Sequence, residues 1–233
     1  RVNIMRKTLI LLAAVMLLSP MAFGMSPSNQ QSNASQGQPL YVGILIQDNV
    51  IHVGTDLGAY RTFIRELPAG SHVSVAYARV GFNNIVQPFT SNLSQAADSL
   101  RPPAAFPSME PGSPYVSVKE YLKTFPKSDT GVRKVLVFVS NGLDPIFGSY
   151  VRVLPSADPY LAQAIRVARR DDVTIYSIFA PGAGPFHRSQ VLAFSGQGAL
   201  NYLSDRTHGE AFYSGSTYIT ARPFLKDIAS RIG

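Results

Sequence analysis

The side chains best suited to chemistry in this 233-residue chain are oxygen-bearing groups that follow long apolar runs. Two such runs, residues 40–46 and 133–139, each end in a polar cluster, and a third polar loop lies at residues 112–114. The candidate site residues in these loops are Gln47, Asp48, Asn49, Ser113, Ser140, Asn141 and Asp144. Their carboxylate, amide and hydroxyl groups form hydrogen bonds, and a sufficiently charged set of such oxygens binds a hard cation such as Mg²⁺.

Signals for an enzyme are weak. The chain has no cysteine, which excludes a thiolate nucleophile and cysteine metal sites. His52, His72, His187 and His208 lack the paired spacing of a zinc site, and the chain contains neither a Gly-x-Ser-x-Gly elbow nor a Walker-type phosphate loop. We therefore predict a non-enzymatic protein that needs no cofactor. A hydrolase that acts through His187 or His208 is an alternative.

The elements that position these loops alternate between strands and helices. The predicted strands are residues 40–46, 72–80, 85–89, 133–139, 173–179 and 211–213, and the predicted helices are residues 56–67, 92–100, 115–125, 158–170, 200–206 and 218–232. This order predicts an α/β fold, a doubly wound, mainly parallel six-stranded sheet of Rossmann-like type with one antiparallel edge strand. Ligands of such sheets bind outside the carboxyl ends of the strands, here between Ile46 and Val139.

The beginning of the chain carries a targeting pattern. Basic residues Arg6 and Lys7 precede an apolar run at residues 9–18, and small residues close the segment near Gly24, which is the layout of a secretory signal peptide. We predict a signal peptide with a short upstream extension at 1–24, a flexible leader at 25–38 and one domain at 39–233. After cleavage the protein is expected in the periplasm or outside the cell, without stable membrane insertion.

The charge pattern gives no sign of a nucleic-acid partner. The net charge is +7, and Arg1, Arg6 and Lys7 supply three of the 21 basic residues, which leaves 18 against 14 acidic residues. The densest basic cluster, residues 166–170, lies at a predicted helix end, where cations interact favourably with the helix dipole. We expect an unidentified protein partner and no nucleic acid.

Several of these features, in this order, resemble von Willebrand factor type A (VWA) domains, and more narrowly the exported VWA-related proteins of acidobacteria. They are the opening apolar strand, the hairpin, the strand that ends in Ser140-Asn-Gly142, and the late segment Leu203-Ser-Asp-Arg-Thr-His-Gly-Glu-Ala-Phe212. The resemblance covers about residues 40–232. It implies a domain that binds a protein partner, which many family members do through a divalent metal at the metal-ion-dependent adhesion site (MIDAS).

The family's metal ligands are replaced in this chain. The resemblance implies an Asp-x-Ser-x-Ser motif after the first strand, a Thr from a middle loop and an Asp that ends the fourth strand. The residues at these positions are Gln47, Asn49, Ile51, Pro114 (or Ser113 in a shifted alignment) and Asn141. Because neutral amides do not supply the charge needed to dehydrate Mg²⁺, we expect a degenerate, metal-free face that binds its partner directly.

Two further readings of the loops stay open. Asp48 and Asp144 remain beside the lost ligands and are candidates for an unorthodox metal-dependent adhesion site; alternatively, Asp48 caps the following turn and Asp144 begins a turn before Pro145. The loop at residues 181–188 carries Phe186, His187 and Arg188, which either form an interface or, for Phe186, pack back on the sheet.

Overall fold

The computed structural model describes residues 38–79, 81–105, 112–127, 131–147, 154–183, 189–215, 218 and 220–233. The predicted signal peptide, the leader up to residue 37 and the loop residues Phe186, His187 and Arg188 lie outside the described residues. One compact unit spans Gly37–Gly233 and contains every strand and helix named below. Among the residues described, no helix has the length and apolar content required to cross a membrane.

A six-stranded sheet forms the centre of this unit, and it confirms the predicted fold class. The strands are β1 (Leu40–Gln47), β2 (His72–Arg79), β3 (Phe82–Thr90), β4 (Arg133–Ser140), β5 (Val173–Phe179) and β6 (Ala211–Phe212). Their spatial order is β3-β2-β1-β4-β5-β6; β3 is antiparallel to β2 and the other neighbours are parallel. The central strands β1 and β4 are buried along nearly their whole length, as their unbroken apolar sequences predicted.

Helices cover both faces of the sheet. They are α1 (Leu57–Arg65), α2 (Leu93–Asp98), α3 (Pro114–Leu122), α4 (Pro159–Arg170), α5 (Gln190–Asp205) and α6 (Arg222–Ile232). One core lies under α1, α2 and α6, and a second lies under α3, α4 and α5. Side-chain oxygens of Asn92, Ser113, Asp158 and Ser189 cap the first turns of α2 to α5, and these caps fix where each helix begins.

Several predicted boundaries are wrong; the predicted helices 56–67 and 115–125, for example, end at Arg65 and Leu122. The strand predicted at 85–89 begins at Phe82, directly after Gly81, which has a positive φ of 79°. The last helix begins at Arg222 rather than 218. The helix predicted at 200–206 begins ten residues earlier, at Gln190. Gly196 and Gly198 favour a loop in the sequence, but at Gly196 the missing side chain gives room for the backbone of Asn141 and Gly142.

The sheet order places the candidate loops together. From β1 the chain moves outward to β2 and β3 and then returns to β4 on the other side of β1, so β1 and β4 form the switch point of the sheet. We call the carboxyl-end surface here the top face; it comprises residues 47–52, 101–105, 112–114, 140–147 and 180–183. The predicted crevice between Ile46 and Val139, which pair in register, is therefore part of it.

The contact between α5 and the loop after β4 predicts opposite effects for two glycines. A Cβ at Gly196 would overlap the carbonyl oxygen of Asn141, whereas a Cβ at Gly198 meets no atom within 4 Å. Gly196→Ala should lower the free energy of unfolding by about 2–4 kcal/mol through overpacking. Gly198→Ala, the matched control, should raise it by up to about 1 kcal/mol through helix propensity. Urea denaturation measures both, and equal effects would contradict this packing.

Candidate functional site

Gln47, the last residue of β1, joins the two central strands at the top face. Its Oε1 accepts hydrogen bonds from the Ser140 hydroxyl at 2.6 Å and from the Asn141 backbone N–H at 3.2 Å. The Ser140 Oγ in turn accepts from the Gly142 N–H at 2.9 Å. The amide oxygen of Gln47 therefore holds the loop after β4 against the end of β1.

The side-chain amide of Asn141, like that of Gln47, accepts a backbone hydrogen bond through its oxygen. Its Oδ1 accepts a hydrogen bond from the Leu143 N–H at 2.9 Å. A backbone N–H can only donate, so the oxygens of Gln47 and Asn141 must be the atoms that face Asn141 N and Leu143 N. Within the described residues, neither side-chain NH₂ group has a hydrogen-bond partner, and neither is fully buried. Gln47 and Asn141 are only 8% and 9% exposed, and the Asn141 Nδ2 lies against Gly182, where an added Cβ would come within 2.4 Å of it.

Asp48 is held in an ion pair by an arginine that the sequence did not single out. Arg101 Nη1 lies 2.8 Å from Asp48 Oδ1, and Arg101 Nη2 lies 3.1 Å from Asp48 Oδ2, so the pair is bidentate. The Ala104 N–H also donates to Asp48 Oδ1 at 2.9 Å. Asp48 does not cap the turn that follows it; instead its buried carboxylate attaches the loop after α2 to the end of β1.

Tyr77 contacts Arg101 through both its ring and its hydroxyl. The Arg101 guanidinium lies 3.8 Å from the centre of the Tyr77 ring, and the Tyr77 hydroxyl donates to the Arg101 carbonyl and accepts from the Arg101 N–H. Burial raises the pKa of the Tyr77 phenol above its ordinary value, although the Arg101 backbone and charge act in the opposite direction. The phenol therefore stays protonated and orients Arg101 toward Asp48.

Asp144 connects the loop after β4 to the start of α3. It is fully buried, and its Oδ2 accepts a short hydrogen bond from the Ser113 hydroxyl. Its Oδ1 accepts from the N–H groups of Ile146 and Phe147 at 2.8 and 3.1 Å, which confirms the prediction that Asp144 begins a turn. The Tyr115 hydroxyl adds a second connection by donating to the Gly142 carbonyl at 2.6 Å.

A cavity of about 20 Å³ lies inside the top face, enough for about one water molecule. It brings together four of the seven predicted site residues, Gln47, Asp48, Asn49 and Ser113. The other three join this group by hydrogen bonds, Ser140 and Asn141 through Gln47, and Asp144 through Ser113. Asn49 Oδ1 is buried without a hydrogen-bond partner, and a water in the cavity would satisfy it.

A MIDAS-type Mg²⁺ ion does not fit these residues. The ion prefers charged carboxylates, yet Gln47, Asn49 and Asn141 carry neutral amides, and the oxygens of Gln47 and Asn141 already accept N–H or O–H donors. The two nearby carboxylates are also engaged, Asp48 by a guanidinium and Asp144 by Ser113 and two backbone N–H groups. Across the described ranges, no three His, Asp or Glu side chains converge as metal ligands would.

Buried polar groups also lie at the start of α4, where Asp158 caps the first turn of the helix. Burial raises the pKa of Asp158 above its ordinary value, and the charge of Asp144 adds to this effect, while the N–H groups of Leu161 and Tyr160 oppose it. Burial, together with the charges of Asp158 and Asp144, also raises the pKa of Tyr115 well above its ordinary value. Tyr115 is thus a permanent hydrogen-bond donor at neutral pH.

His208, one of the two histidines named for a hydrolase, does not lie at the top face. His208 lies after α5 with a positive φ of 63° and lines a groove at the opposite end of the sheet, with Arg133 and Arg231 among its neighbours. Its predicted role as a helix end is confirmed, because α5 ends at Asp205. His187 lies outside the described residues.

Comparison with solved structures identifies the fold. The chain is similar to BatB from Bacteroides thetaiotaomicron, with 12% identity and a TM-score of 0.55 over 84% of this chain and 97% of that one. It is similar to a von Willebrand factor type A protein from Catenulispora acidiphila, with 13% identity and a TM-score of 0.54 over 84% and 43% of the two chains. The pilus adhesin SpaC from Lactobacillus rhamnosus GG matches with 11% identity and a TM-score of 0.57 over 84% and 30%.

The fold is that of a VWA domain. The likeness predicted from the order of sequence features is therefore confirmed at the level of fold. At identities of 11–13% the structural similarity establishes architecture only. The sequence matches no protein-family model and no curated protein.

Three residues that organise the top face were missed from the sequence. Arg101 and Tyr77 hold Asp48, and Tyr115 holds the loop after β4. One signal was present for Arg101: Asp48 follows a fully buried strand, and a carboxylate in that position needs a cation from elsewhere in the chain. Nothing in the sequence indicates which of the basic residues supplies it, since Arg101 lies 53 positions away.

The ion pair of Asp48 predicts strongly asymmetric mutational effects. Arg101→Met should lower the free energy of unfolding by about 2–3 kcal/mol, because it leaves a buried carboxylate without its cation. Asp48→Asn should cost less, since Arg101 is partly exposed and the amide oxygen still accepts from Ala104. The double variant Asp48→Asn/Arg101→Met should recover most of the loss. Equal losses in both single variants, measured by urea denaturation, would contradict this account.

Asp158 predicts a pH-dependent stability difference. Its folded-state pKa is raised, so the wild type loses stability as pH rises from the ordinary aspartate pKa of about 3.9 through the folded value. Asp158→Asn keeps the cap of α4 without this loss, so the stability of the variant relative to wild type should increase as the pH rises from about 3 through the raised folded-state pKa of Asp158 and then stay constant. Asp158→Ala is the control and should be about 1 kcal/mol less stable than Asp158→Asn throughout. A difference that does not change with pH would refute the raised pKa.

Proposed function

We propose that this VWA domain is an exported, non-enzymatic module that binds a protein partner through a metal-independent top face. The proposal places the partner over the amides of Gln47, Asn49 and Asn141, with the neighbouring Asp48, Ser113, Ser140 and Asp144 holding these amides in position. The protein acts in the periplasm or outside the cell after removal of residues 1–24.

The observation that carries the proposal is the orientation of two amides. Gln47 and Asn141 stand where the family has its two aspartates, and each uses its oxygen to accept a backbone N–H. A carboxylate could accept the same bonds, but only an amide has a donor left over. The two NH₂ groups therefore offer hydrogen bonds to partner oxygens at the place where other VWA domains present a metal ion.

The two carboxylates of the face are held by donors of the protein itself. The negative charge of Asp48 is matched by Arg101 at the same end of the sheet, and the carboxylate of Asp144 is enclosed by protein donors. A partner that approaches the amides thus meets neither a free carboxylate of these two residues nor a metal. Neutral recognition of this kind depends little on salt concentration.

The alternative of a metal-dependent adhesion domain that uses Asp48 and Asp144 is disfavoured by the same contacts. A cation would have to displace Arg101 from Asp48, and Ser113 with two N–H groups from Asp144. A hydrolase that acts through His208 is disfavoured because this residue lies in the groove at the other end of the sheet. Export is supported by the signal-peptide pattern of residues 1–24 and by the similarity of the fold to a pilus adhesin.

The proposal predicts that isosteric loss of the donors weakens partner binding. An immobilised chain of residues 25–233 is used to capture partners from the exported fraction of the source cells in the presence of a chelator, and binding of the captured partner is then measured. Gln47→Glu and Asn141→Asp keep every oxygen acceptor but remove the NH₂ groups, so each should weaken binding at least about tenfold. Asn84→Asp, an exposed amide on β3, is the control and should bind as wild type.

Two results would overturn the proposal. Binding that is lost in chelator and restored by Mg²⁺ would show that the face depends on a metal. Wild-type affinity in the double variant Gln47→Glu/Asn141→Asp, with an unchanged melting temperature, would place the partner elsewhere on the domain.

A further inference from the structure

Asn141 is followed by a glycine, and this pair has a covalent chemistry of its own. The backbone nitrogen of the residue after an asparagine can attack the side-chain amide carbon and close a five-membered ring. Glycine hinders this attack least, because it has no side chain and the freest backbone. Asn141-Gly142 is the one Asn-Gly pair in the sequence, and each of the other asparagines is followed by a residue with a side chain.

The reaction replaces an amide with a carboxyl group and needs only water. The Gly142 nitrogen gives up its proton to the solvent and forms a bond to Asn141 Cγ. The bond from Cγ to Nδ2 breaks, and Nδ2 takes up a proton and leaves as ammonia. Water then opens the ring, adding its hydroxyl to one of the two carbonyl carbons and returning a proton to the Gly142 nitrogen. The product is an aspartate or, from the other carbon, an isoaspartate.

The attacking nitrogen and the amide that it would attack are both held in the folded chain. The Gly142 N–H donates to Ser140 Oγ at 2.9 Å. The Asn141 Oδ1 accepts from the Leu143 N–H at 2.9 Å, which fixes the side chain in its turn. Asn141 is only 9% exposed, so water has little access to its amide. These contacts oppose the reaction in the native state.

The backbone of α5 keeps the same loop from moving. Ring closure draws the Gly142 nitrogen to bonding distance from Asn141 Cγ, so the peptide between the two residues has to shift. A Cβ at Gly142 would overlap the carbonyl of Gly196, and a Cβ at Gly196 would overlap the carbonyl of Asn141, so the two backbones are in close contact. The Tyr115 hydroxyl also holds the Gly142 carbonyl at 2.6 Å. The fold therefore leaves this peptide little freedom.

We propose that Asn141 is a deamidation site that the fold keeps unreactive, and that the Ser140 hydroxyl is the group that protects it. This hydroxyl is itself fixed, because it donates to Gln47 Oε1 at 2.6 Å while it accepts the Gly142 N–H. The protection thus depends on the side-by-side ends of β1 and β4. Separation of these strand ends releases the Gly142 nitrogen, and the top face then acquires a carboxylate irreversibly.

The product changes the top face in charge and in shape. The new carboxylate is negative and lacks the NH₂ group of Asn141. The isoaspartate form also lengthens the main chain at the point where Gly142 contacts the backbone of Gly196. Only the consequence for binding rests on the proposed function: the modified domain should bind its partner as weakly as Asn141→Asp does.

Peptide mass spectrometry of residues 25–233, after incubation at mildly alkaline pH, tests the site. This segment contains the whole compact unit Gly37–Gly233, so it is expected to fold without residues 1–24. In urea, the unfolded wild type should deamidate at Asn141 faster than at any other asparagine, since only Asn141 precedes a glycine. Without urea, Asn141 should react at least about tenfold more slowly, because its hydrogen bonds must first be broken.

Ser140→Ala separates protection by the hydroxyl from general stability. It removes the acceptor of the Gly142 N–H, so deamidation of the folded protein should become about three- to tenfold faster. Ser177→Ala is the matched control. Ser177 is an equally buried serine on β5, and its hydroxyl is bonded to Ser204 rather than to the Asn-Gly pair. Its rate should stay within about twofold of wild type.

Three results would overturn the proposal. Asn141 would not be the labile site if another asparagine reacted faster in urea. Equal rates at Asn141 with and without urea would show that the fold does not protect it. Equal rates in Ser140→Ala and Ser177→Ala would show that the Ser140 hydroxyl is not the protecting group. Partner binding is a separate readout: wild-type affinity of both the deamidated fraction and Asn141→Asp would contradict the proposed function and not the modification site.

Discussion

The hydrogen bonds accepted by the amide oxygen of Gln47 are the constraint on which the top face depends. Parallel strands β1 and β4 end side by side at the switch point of the sheet, and their following loops leave in different directions. Gln47 Oε1 accepts from Ser140 and from the first N–H of the loop after β4, so one side chain fixes the separation of the two loops. Metal-bearing VWA domains are expected to make this connection through an ion, whereas here a neutral side chain makes it directly.

The two buried carboxylates of the top face have protein donors as partners. An unpaired buried charge would cost several kcal/mol, so these donors are needed for stability. Asp48 receives the guanidinium of Arg101, which Tyr77 orients, and Asp144 receives Ser113 and two backbone N–H groups. These contacts also attach the loops after α2 and before α3 to the sheet. The NH₂ groups of Gln47 and Asn141 have no hydrogen-bond partner among the described residues. The proposed function therefore places the partner there.

Local sequence predicted the sheet well because each strand has its own pattern. The unbroken apolar runs of β1 and β4 and the exact span of β5 needed no tertiary information. The start of α5 was missed because the reason for Gly196 is a contact with the loop after β4, which is distant in sequence. The sequence singled out Gln47 and Asn141, but the use of their oxygens, and the role of Arg101, depend on which loops the topology brings together.

Calorimetric titration with Mg²⁺ after exhaustive chelation tests the metal-free face most directly. Residues 25–233 are compared with a variant that restores the family pattern through Gln47→Asp, Asn49→Ser, Ile51→Ser, Pro114→Thr and Asn141→Asp. The account predicts no binding heat for the wild type and no change in its melting temperature, with binding gained in the restored variant. Stoichiometric binding by the wild type that disappears in Asp48→Ala and Asp144→Ala would contradict the account and favour a metal-bridged adhesion domain.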